Sequence, residues 1–306
     1  MLYDVIIVGA GPAGITASIY AVRMGLKTLV LEKGMVGGLM LLAKEIENYP
    51  GFDGISGEEL ANRMKNQAKN LGVEIKNEEV IGMDLHTETK TVTTRGGRYA
   101  TKSIITATGS EYRKLEVEGE NEFAGKGVSF CAICDAPFFA DRVVAVVGGG
   151  NSAASDALYL NEIAKKTYLI HRRDELRAEE MRQEKLRESG VEIILNSVVE
   201  EILGDNFVKS IRIRDVSSDK TRELRVDGVF ISIGMVPTTV MVKGAGIKLD
   251  DKGFIEVNRN QETNISGVFA AGDCTGGLRQ ITTATGEGST AATSAYNYIK
   301  SPYWSE

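Results

Sequence analysis

The clearest hydrophobic pattern in this chain is a short apolar run that ends in a glycine-rich turn. Residues 3–11 contain the first such run, and the apolar spacing over 12–24 predicts a helix after it. Residues 28–31 predict a second strand, which ends at Glu32. Continuous apolar strands that alternate with helices are typical of parallel sheets covered on both faces. An α/β fold is therefore predicted.

The same order of elements returns later in the chain. It predicts a strand over 143–147, a turn over 148–150, a helix over 152–163 and a strand over 167–170. The first glycines of the two turns, Gly9 and Gly148, lie 139 residues apart, and the same offset carries Glu32 onto His171. This internal repeat predicts two Rossmann-like dinucleotide-binding domains.

The remaining segments indicate that the second domain is inserted into the first. We expect an antiparallel excursion (73–102), a strand that returns to the nucleotide (104–109), a hairpin (208–226), a strand and turn (268–273) and a helix (286–299). Short crossovers are expected near 112–120 and 243–250. The expected domains are thus residues 1–114 plus 247–306, and residues 115–246.

The first turn fits a dinucleotide fingerprint. Gly9 permits the tight turn, Gly11 lets a pyrophosphate approach the backbone, and Gly14 lets the helix pack on the strand. The positive end of the helix dipole favours the bound phosphates. Glu32 lies where an acid accepts hydrogen bonds from a ribose 2′-hydroxyl.

The second copy has cations where the first has an acid. His171 is followed by Arg172 and Arg173, with Arg177 one helical turn further on. Guanidinium groups bind a 2′-phosphate, which favours an NADP-type site. The alternative is a solvated helix face rich in Glu/Arg pairs, which explains other arginines such as Arg182 and Arg187 but not this cluster.

Between the two fingerprints stands a Cys-x-x-Cys pair, Cys131 and Cys134, followed by Asp135. A redox dithiol explains the pair best; the alternatives are a zinc site, which lacks two further ligands, and an inert buried pair. No metal site is expected. Asp135 can move protons to or from a thiolate, or act as a helix N-cap. Cys274 is expected in the core.

Composition limits the partners. The chain has 306 residues, 42% hydrophobic and 25% charged, with a net charge of −6 and a pI of about 5.3. An acidic protein is not attracted to nucleic acid or an anionic membrane. No apolar run is long enough to span a bilayer, and we expect no signal peptide. Three cysteines in a chain of this size indicate a reducing, cytoplasmic setting.

With these residues in view, the chain closely resembles the low-molecular-weight thioredoxin reductases over essentially its full length. The matching stretches are GAGPAG (9–14), ENYPG (47–51), TATG (106–109), CAICD (131–135), GGGNSA (148–153), HRRDELRA (171–178), GMVPTT (234–239), AAGD (270–273) and RQITTATGEG (279–288). The combination is highly specific, above all CxxCD placed shortly before the second glycine fingerprint.

The resemblance implies a homodimeric flavoprotein that passes electrons from NADPH through FAD and a redox disulfide to thioredoxin or a thioredoxin- or glutaredoxin-like protein. It implies that Cys131 attacks the partner, Cys134 lies against the flavin and Asp135 donates a proton. The implied FAD residues are Gly9, Gly11, Pro12, Ala13, Gly14, Glu32, Lys33, Gly38, Asn48, Ala107, Thr108, Gly109, Gly272, Asp273, Arg279, Gln280 and Ile281. The implied NADPH residues are Gly148, Gly150, Asn151, Ser152, Ala153, His171, Arg172, Arg173, Arg177, Ile233 and Gly234.

The sequence departs from the family pattern in three places. Leu39 replaces a Gln that often follows the Gly-Gly pair, Asp156 replaces a Glu, and Ala136-Pro137 replaces Gly-Ala. Other hypotheses are a same-fold flavoenzyme serving ferredoxin or flavodoxin, a peroxiredoxin-linked reductase, an oxidase of small dithiols and a non-catalytic redox sensor. The Cys pair argues against the first, the start of the fingerprint at Gly9 against the second, and the arginine cluster against the third. Two complete nucleotide sites argue against the sensor.

Overall fold

A computed structural model describes residues 2–43 and 45–300. Its strands are β1 Leu2–Val8, β2 Thr28–Glu32, β3 Glu74–Asn77, β4 Val80–Asp84, β5 Lys90–Thr94, β6 Gly97–Thr106, β7 Ser110–Tyr112, β8 Val128–Ser129, β9 Val143–Val147, β10 Lys166–Ile170, β11 Glu192–Ile194, β12 Ser197–Gly204, β13 Val208–Asp215, β14 Thr221–Arg225, β15 Gly228–Ile231, β16 Met235–Pro237 and β17 Val268–Ala270. Its α-helices are α1 Pro12–Arg23, α2 Gly57–Asn70, α3 Ala132–Asp135, α4 Asn151–Asn161, α5 Glu180–Glu188, α6 Val240–Gly244 and α7 Ile281–Lys300.

The chain forms two compact units. The first consists of Met1–Glu111 and Val236–Glu306, and the second is the continuous stretch Tyr112–Met235. The expected insertion of one α/β region into another is therefore present. Strands β7 and β16, which lie at the two crossovers, pair in a two-stranded sheet.

The second crossover lies earlier than the expected 243–250. Helix α6 belongs to the first unit, because Val242 is fully buried in a core that includes Ile6 and Ile104 of the central strands. The first crossover, at 111–112, also lies at the very start of the expected 112–120. The expected boundaries after residues 114 and 246 are therefore replaced by boundaries after residues 111 and 235.

A seven-stranded sheet forms the centre of the first unit; six strands follow the order β3-β2-β1-β6-β5-β4, and the seventh, β17, pairs with β6. Strand β6 has two roles along its length. Its residues 97–101 pair with β5 in the antiparallel excursion, and its residues 104–106 pair in parallel with β17. The last strand of the predicted excursion and the predicted returning strand are thus one continuous element. The antiparallel prediction holds for β4, β5 and the start of β6, but it is wrong for β3, which pairs in parallel with β2.

Helix α1 begins at Pro12, where a missing N–H costs nothing, and it packs against α7. The contact is close: an ideal Cβ placed on Gly288 of α7 would lie 2.3 Å from the carbonyl oxygen of Ala13. Helix α7 begins at Ile281, five residues before the start predicted near Gly286. Helix α2 is capped by Ser56, whose Oγ accepts the Glu59 N–H at 3.1 Å.

The second unit repeats the parallel part of the first. Its five-stranded sheet has the order β11-β10-β9-β15-β8, and a separate antiparallel sheet has the order β12-β13-β14. The predicted hairpin over 208–226 is confirmed as β13 and β14. No helix among the described residues has both the length and the apolar character needed to cross a membrane.

The internal repeat holds at the level of single hydrogen bonds. The Gly9 N–H donates to the Leu31 oxygen at 2.8 Å, and the Gly148 N–H donates to the Ile170 oxygen at 3.0 Å. These residues are related by the offset of 139. The sequence overlay therefore identifies structurally equivalent positions, and the two Rossmann-like regions are confirmed as a repeated α/β architecture.

Candidate functional site: two glycine cradles and a disulfide

The first cradle is the turn between β1 and α1. Gly9 has φ of +103°, and an ideal Cβ on it would lie 2.2 Å from the Ala107 carbonyl oxygen. A Cβ on Gly14 would lie 1.9 Å from the Gly9 oxygen, whereas a Cβ on Gly11 would meet nothing within 4 Å. Packing thus requires glycine at positions 9 and 14, but not at Gly11. Gly11 leaves open space where a pyrophosphate can approach the backbone.

Glu32 is held firmly at the end of β2. Its Oε2 accepts the Ala10 N–H at 2.7 Å, and its Oε1 accepts the Gly34 N–H at 2.8 Å. Each carboxylate oxygen has a second lone pair. The acid is therefore oriented by the turn itself and can still accept hydrogen bonds from a ribose.

Other residues implied in FAD binding lie around this cradle within the first unit. A Cβ on Gly38 would be 3.2 Å from the Gly11 Cα, which places the Gly37-Gly38 turn against the open side of the fingerprint. Asn48 Nδ2 donates to Gln280 Oε1 at 3.2 Å, so these two predicted residues are neighbours. Lys33 Nζ lies 3.6 Å from Glu111 and points to a surface carboxylate.

A pair of partly buried carboxyls holds the loop after β17. Burial raises the pKa of Asp273, while Ser110, whose Oγ donates to Oδ2 at 3.2 Å, and Arg279 oppose this rise. Glu287 of α7 accepts the Gly272 N–H at 2.7 Å, and burial raises its pKa as well. Sequence reasoning missed Glu287. Its one signal in the sequence was an acid between two glycines, in a stretch of α7 that is otherwise rich in small residues.

The second cradle lies between β9 and α4. Gly148 is required, since a Cβ there would lie 2.3 Å from the Ser232 oxygen, and Gly150 faces open space as Gly11 does. Gly149 meets a new neighbour: its Cβ would lie 2.2 Å from Nδ1 of His171. The His171 ring, 4% exposed, thus occupies the position beneath the turn.

The residues that follow β6 in the first unit and β15 in the second also occupy equivalent positions. The Ala107 N–H donates to the Val8 oxygen and the Ser232 N–H to the Val147 oxygen, both at 2.8 Å. The predicted segment Ala107–Gly109 is therefore equivalent to 232–234, which contains the predicted Ile233 and Gly234. Gly109 and Gly234 both have positive φ, at +70° and +104°.

The arginine cluster at the end of β10 is exposed and unpaired. Arg172, Arg173 and Arg177 form no ion pair with any carboxylate within residues 2–43 and 45–300. By contrast Arg182 pairs with Glu179, and Arg187 pairs with Glu180, as the solvated-face alternative requires. The helix-face explanation thus applies to those two arginines and not to the cluster.

The cluster also acts on the histidine below it. Burial lowers the pKa of His171, and the charges of Arg177, Arg173 and Arg172 lower it further. Its Nε2 is buried and has no hydrogen-bond partner among the described residues. Asn151, implied in NADPH binding, uses its side-chain amide differently: Nδ2 donates to Glu179 and Oδ1 accepts the Glu179 N–H.

Cys131 and Cys134 form a disulfide, with the two Cα atoms 5.3 Å apart. Cys131 precedes the short helix α3, and both cysteines are partly exposed. Burial raises the pKa of Asp135 at the end of that helix, and a hydrogen bond from Ser129 opposes the rise. Ser129 was not singled out from the sequence. A disulfide beside a carboxyl with a raised pKa has the parts needed for thiol–disulfide exchange with proton transfer.

The remaining candidates from the sequence are the third cysteine, Cys274, and the zinc alternative. Cys274 is fully buried, which raises the pKa of its thiol to about 11, so it remains a core cysteine. No group of three or more His, Cys, Asp or Glu side chains among the described residues is arranged to hold a metal ion.

Comparison with known proteins finds similarity to redox enzymes over nearly the full length of the chain. The family described as pyridine nucleotide-disulphide oxidoreductase matches residues 3–288. Thioredoxin reductases of Listeria innocua and Bacillus subtilis are 44% and 42% identical over 302 residues, which is 98% of this chain and 94% and 95% of those proteins. The crystal structure of thioredoxin reductase from Streptococcus pyogenes superposes with a TM-score of 0.93 at 42% identity, covering 98% of this chain and 99% of that one.

Proposed function

Because the chain belongs to the pyridine nucleotide-disulphide oxidoreductase family, we propose that it is an NADPH-dependent thioredoxin-disulfide reductase. The observation that carries this proposal is the Cys131–Cys134 disulfide beside Asp135, in a chain that also holds two glycine cradles. Relatives named thioredoxin reductase at 44% and 42% identity support the same conclusion. When bound, the nicotinamide supplies a hydride and FAD supplies the relay of an electron pair to the disulfide.

The first unit is proposed to hold FAD. The open space at Gly11 fits a pyrophosphate, and the oriented carboxylate of Glu32 fits a ribose hydroxyl. Gly38, Asp273 and Arg279 belong to the same unit and complete the candidate set with the other residues that the family resemblance implies.

The second unit is proposed to hold NADPH. The open space at Gly150 fits the pyrophosphate. The guanidinium groups of Arg172, Arg173 and Arg177, which pair with no carboxylate of the described residues, fit a 2′-phosphate. The Nε2 of His171, which has no hydrogen-bond partner in the part of the chain that the structure describes, lies in the same segment. Since the first cradle has an acid at the equivalent position, the two units are suited to different nucleotides.

The cysteines are proposed to carry out the exchange with the partner. The Cys131 thiolate attacks one sulfur of the partner disulfide, forms a mixed disulfide and releases a partner thiolate, which takes up a proton. Cys134 then attacks the Cys131 sulfur, restores the Cys131–Cys134 disulfide and releases the second partner thiolate. Asp135 moves the proton that this sequence requires.

The partner is proposed to be thioredoxin or a thioredoxin- or glutaredoxin-like protein, and the enzyme a cytoplasmic homodimer. A net charge of −6 supports the expectation that neither nucleic acid nor a membrane is a partner. The partly exposed disulfide supports a protein substrate, because the sulfurs must meet a second disulfide directly.

An anaerobic titration of the purified yellow protein with NADPH, and in parallel with NADH, tests the proposal. We expect NADPH to bleach the flavin and to deliver about two electron pairs per subunit, one to the flavin and one to the disulfide, with NADH much weaker. The Cys131→Ser variant is the matched control, and it should take up about one pair and reduce no thioredoxin. If neither nicotinamide bleaches the flavin, or if Cys131→Ser turns over thioredoxin normally, the proposed function is wrong.

A further inference from the structure

Ser129 lies between the disulfide turn and the acid that follows it. It is the last residue of β8 and is only 5% exposed. Its Oγ is 2.5 Å from Asp135 Oδ2 and 3.1 Å from the backbone nitrogen of Cys131. One hydroxyl therefore touches both the carboxyl and the first cysteine of the pair.

When the Asp135 carboxyl is ionised, the chemistry of the three groups fixes the direction of these hydrogen bonds. The Cys131 N–H can only donate, so Ser129 Oγ accepts it and keeps its own hydrogen. That hydrogen has two acceptors in reach: the Asp135 oxygen at 2.5 Å and the more distant Cys131 carbonyl oxygen at 3.4 Å. Because a carboxylate is the stronger acceptor and the nearer one, the hydroxyl donates to Asp135.

The surroundings leave Ser129 as the principal polar partner of this carboxyl. Asp135 forms no ion pair with the charged side chains of residues 2–43 and 45–300. Helix α4, which packs against α3, carries the titratable residues Asp156 and Tyr159, but the pKa of Asp135 responds to burial and to the Ser129 hydrogen bond. Burial alone would raise the pKa of Asp135 further than it does with the hydroxyl in place.

We propose that Ser129 is a positioning residue for the dithiol chemistry, whose hydroxyl holds the Asp135 carboxyl at a fixed place relative to the Cys131 end of the disulfide turn. The proposal rests on the reductase function proposed above. In the exchange, enzyme dithiol and partner disulfide become enzyme disulfide and partner dithiol. The Asp135 carboxylate takes the proton of a cysteine thiol as its thiolate forms, and returns it to the departing partner thiolate.

The test uses the chemically reduced holoenzyme and measures how the rate of cysteine alkylation by iodoacetamide depends on pH. We compare Ser129→Ala with Ser129→Thr, which keeps the hydroxyl, and with Asp135→Asn, which cannot titrate. Removing a donor from an ionised carboxylate disfavours the charged form. We therefore expect Ser129→Ala to move the acidic inflection of the profile to higher pH and to slow thioredoxin reduction about tenfold at neutral pH, and Ser129→Thr to restore the wild-type profile.

A double variant makes the result specific to this contact. In an Asp135→Asn background, Ser129→Ala should leave the alkylation profile unchanged. A wild-type profile in Ser129→Ala, or a shift that persists without the carboxyl, overturns the proposal. If Ser129→Ala does not fold, Asp135→Glu, which displaces the carboxyl by one methylene, must move the same inflection.

The alkylation profile needs neither a nicotinamide nor a partner protein. Failure of the wild-type enzyme to reduce thioredoxin with NADPH would contradict the proposed function, and an unmoved profile would contradict the role of Ser129 alone.

Discussion

The two glycine cradles have the same backbone arrangement. They differ in the residue that ends the second strand and in the turn residue that this side chain contacts. Equivalent hydrogen bonds, from Gly9 to Leu31 and from Gly148 to Ile170, hold the turns in the same way. The second strand then leads to Glu32 in one unit and to His171 in the other. Glu32 receives the N–H of Ala10 from beside the turn, whereas the His171 ring lies beneath Gly149.

This difference separates two properties of a nucleotide site. The backbone of the turn and the helix start provide the place for a pyrophosphate, and that backbone is repeated. The residue that ends the second strand is proposed to select the ribose that is accepted, and it determines whether the neighbouring turn residue can carry a Cβ. In the first cradle, the Glu32 carboxylate accepts the N–H of Ala10 and leaves room for its Cβ. In the second, the buried ring of His171 excludes any Cβ at Gly149.

The largest effect is expected from removing the arginine cluster of the second cradle, of which only Arg172 has a cationic counterpart, Lys33, at the offset of 139. The triple variant Arg172→Ala, Arg173→Ala and Arg177→Ala should raise the KM for NADPH by about three orders of magnitude, since charge-assisted hydrogen bonds each contribute roughly 1.5–3 kcal/mol. The KM for NADH should change little. Steady-state kinetics with both nucleotides measure this, and Arg182→Ala with Arg187→Ala is the matched control. Equal losses for both nucleotides would contradict a 2′-phosphate site.

Removing the acid of the first cradle should affect FAD and leave NADPH binding alone. Glu32→Ala strands the N–H groups of Ala10 and Gly34. Two charge-assisted hydrogen bonds correspond to a loss of about 3 kcal/mol in local stability. We expect the variant to purify with little flavin, which absorbance relative to total protein measures. Glu32→Gln retains one acceptor oxygen and should lie between; full flavin content in Glu32→Ala would refute the assigned role.

Exchanging the turn residue should show that Gly149 is required by the histidine. Gly149→Ala forces a Cβ to within 2.2 Å of the His171 ring, and overpacking of this kind costs about 2 kcal/mol. The double variant Gly149→Ala with His171→Glu copies the first cradle and should recover the stability while losing NADPH. Denaturant unfolding of both variants provides the measurement. No recovery in the double variant would mean that the cradles are not equivalent at this position.

The smallest effect is a pH dependence of stability from the buried histidine. Burial and three arginines lower the pKa of His171 below its usual value near 6.5, so the unfolded chain takes up the proton first. Stability from the neutral ring is present above the unfolded pKa and is lost as pH falls through the folded one. The free energy of unfolding of the wild type should therefore fall relative to His171→Gln between pH 7.5 and 5. His86→Gln, at an exposed histidine, is the control, and a parallel response of both variants would rule out the effect.

Much of the fold could be predicted because the repeated signals are local. An apolar strand, a glycine turn and a helix are encoded within about thirty residues, so the offset of 139 identified both cradles and placed His171 opposite Glu32. The Cys-x-x-Cys motif identified the disulfide pair in the same way, from contiguous residues. These elements depend on backbone geometry that a few residue types determine.

What could not be predicted depends on partners that only the fold supplies or, for α7, on residues with a weak helix signal. The second crossover was placed too late because only packing shows that Val242 belongs to the first core. Helix α7 was started too late because its first turn contains threonines, which carry little helix signal. Glu287 and Ser129 were missed because ordinary polar residues gain meaning from the partners that the fold gives them. Whether the named site residues bind their nucleotides stays a prediction.

The discontinuity of the first unit determines the order in which the chain can be completed during synthesis. Helix α1 and strand β6 need α7 and β17, which are the last helix and the last strand that the structure describes. The second unit needs only residues 112–235, so all of its strands leave the ribosome before those partners exist. Domains generally fold as units during translation. The second unit can therefore fold before the first, although it comes later in the chain. The apolar strands of the first unit remain without these packing partners until β17 and α7 have been synthesised.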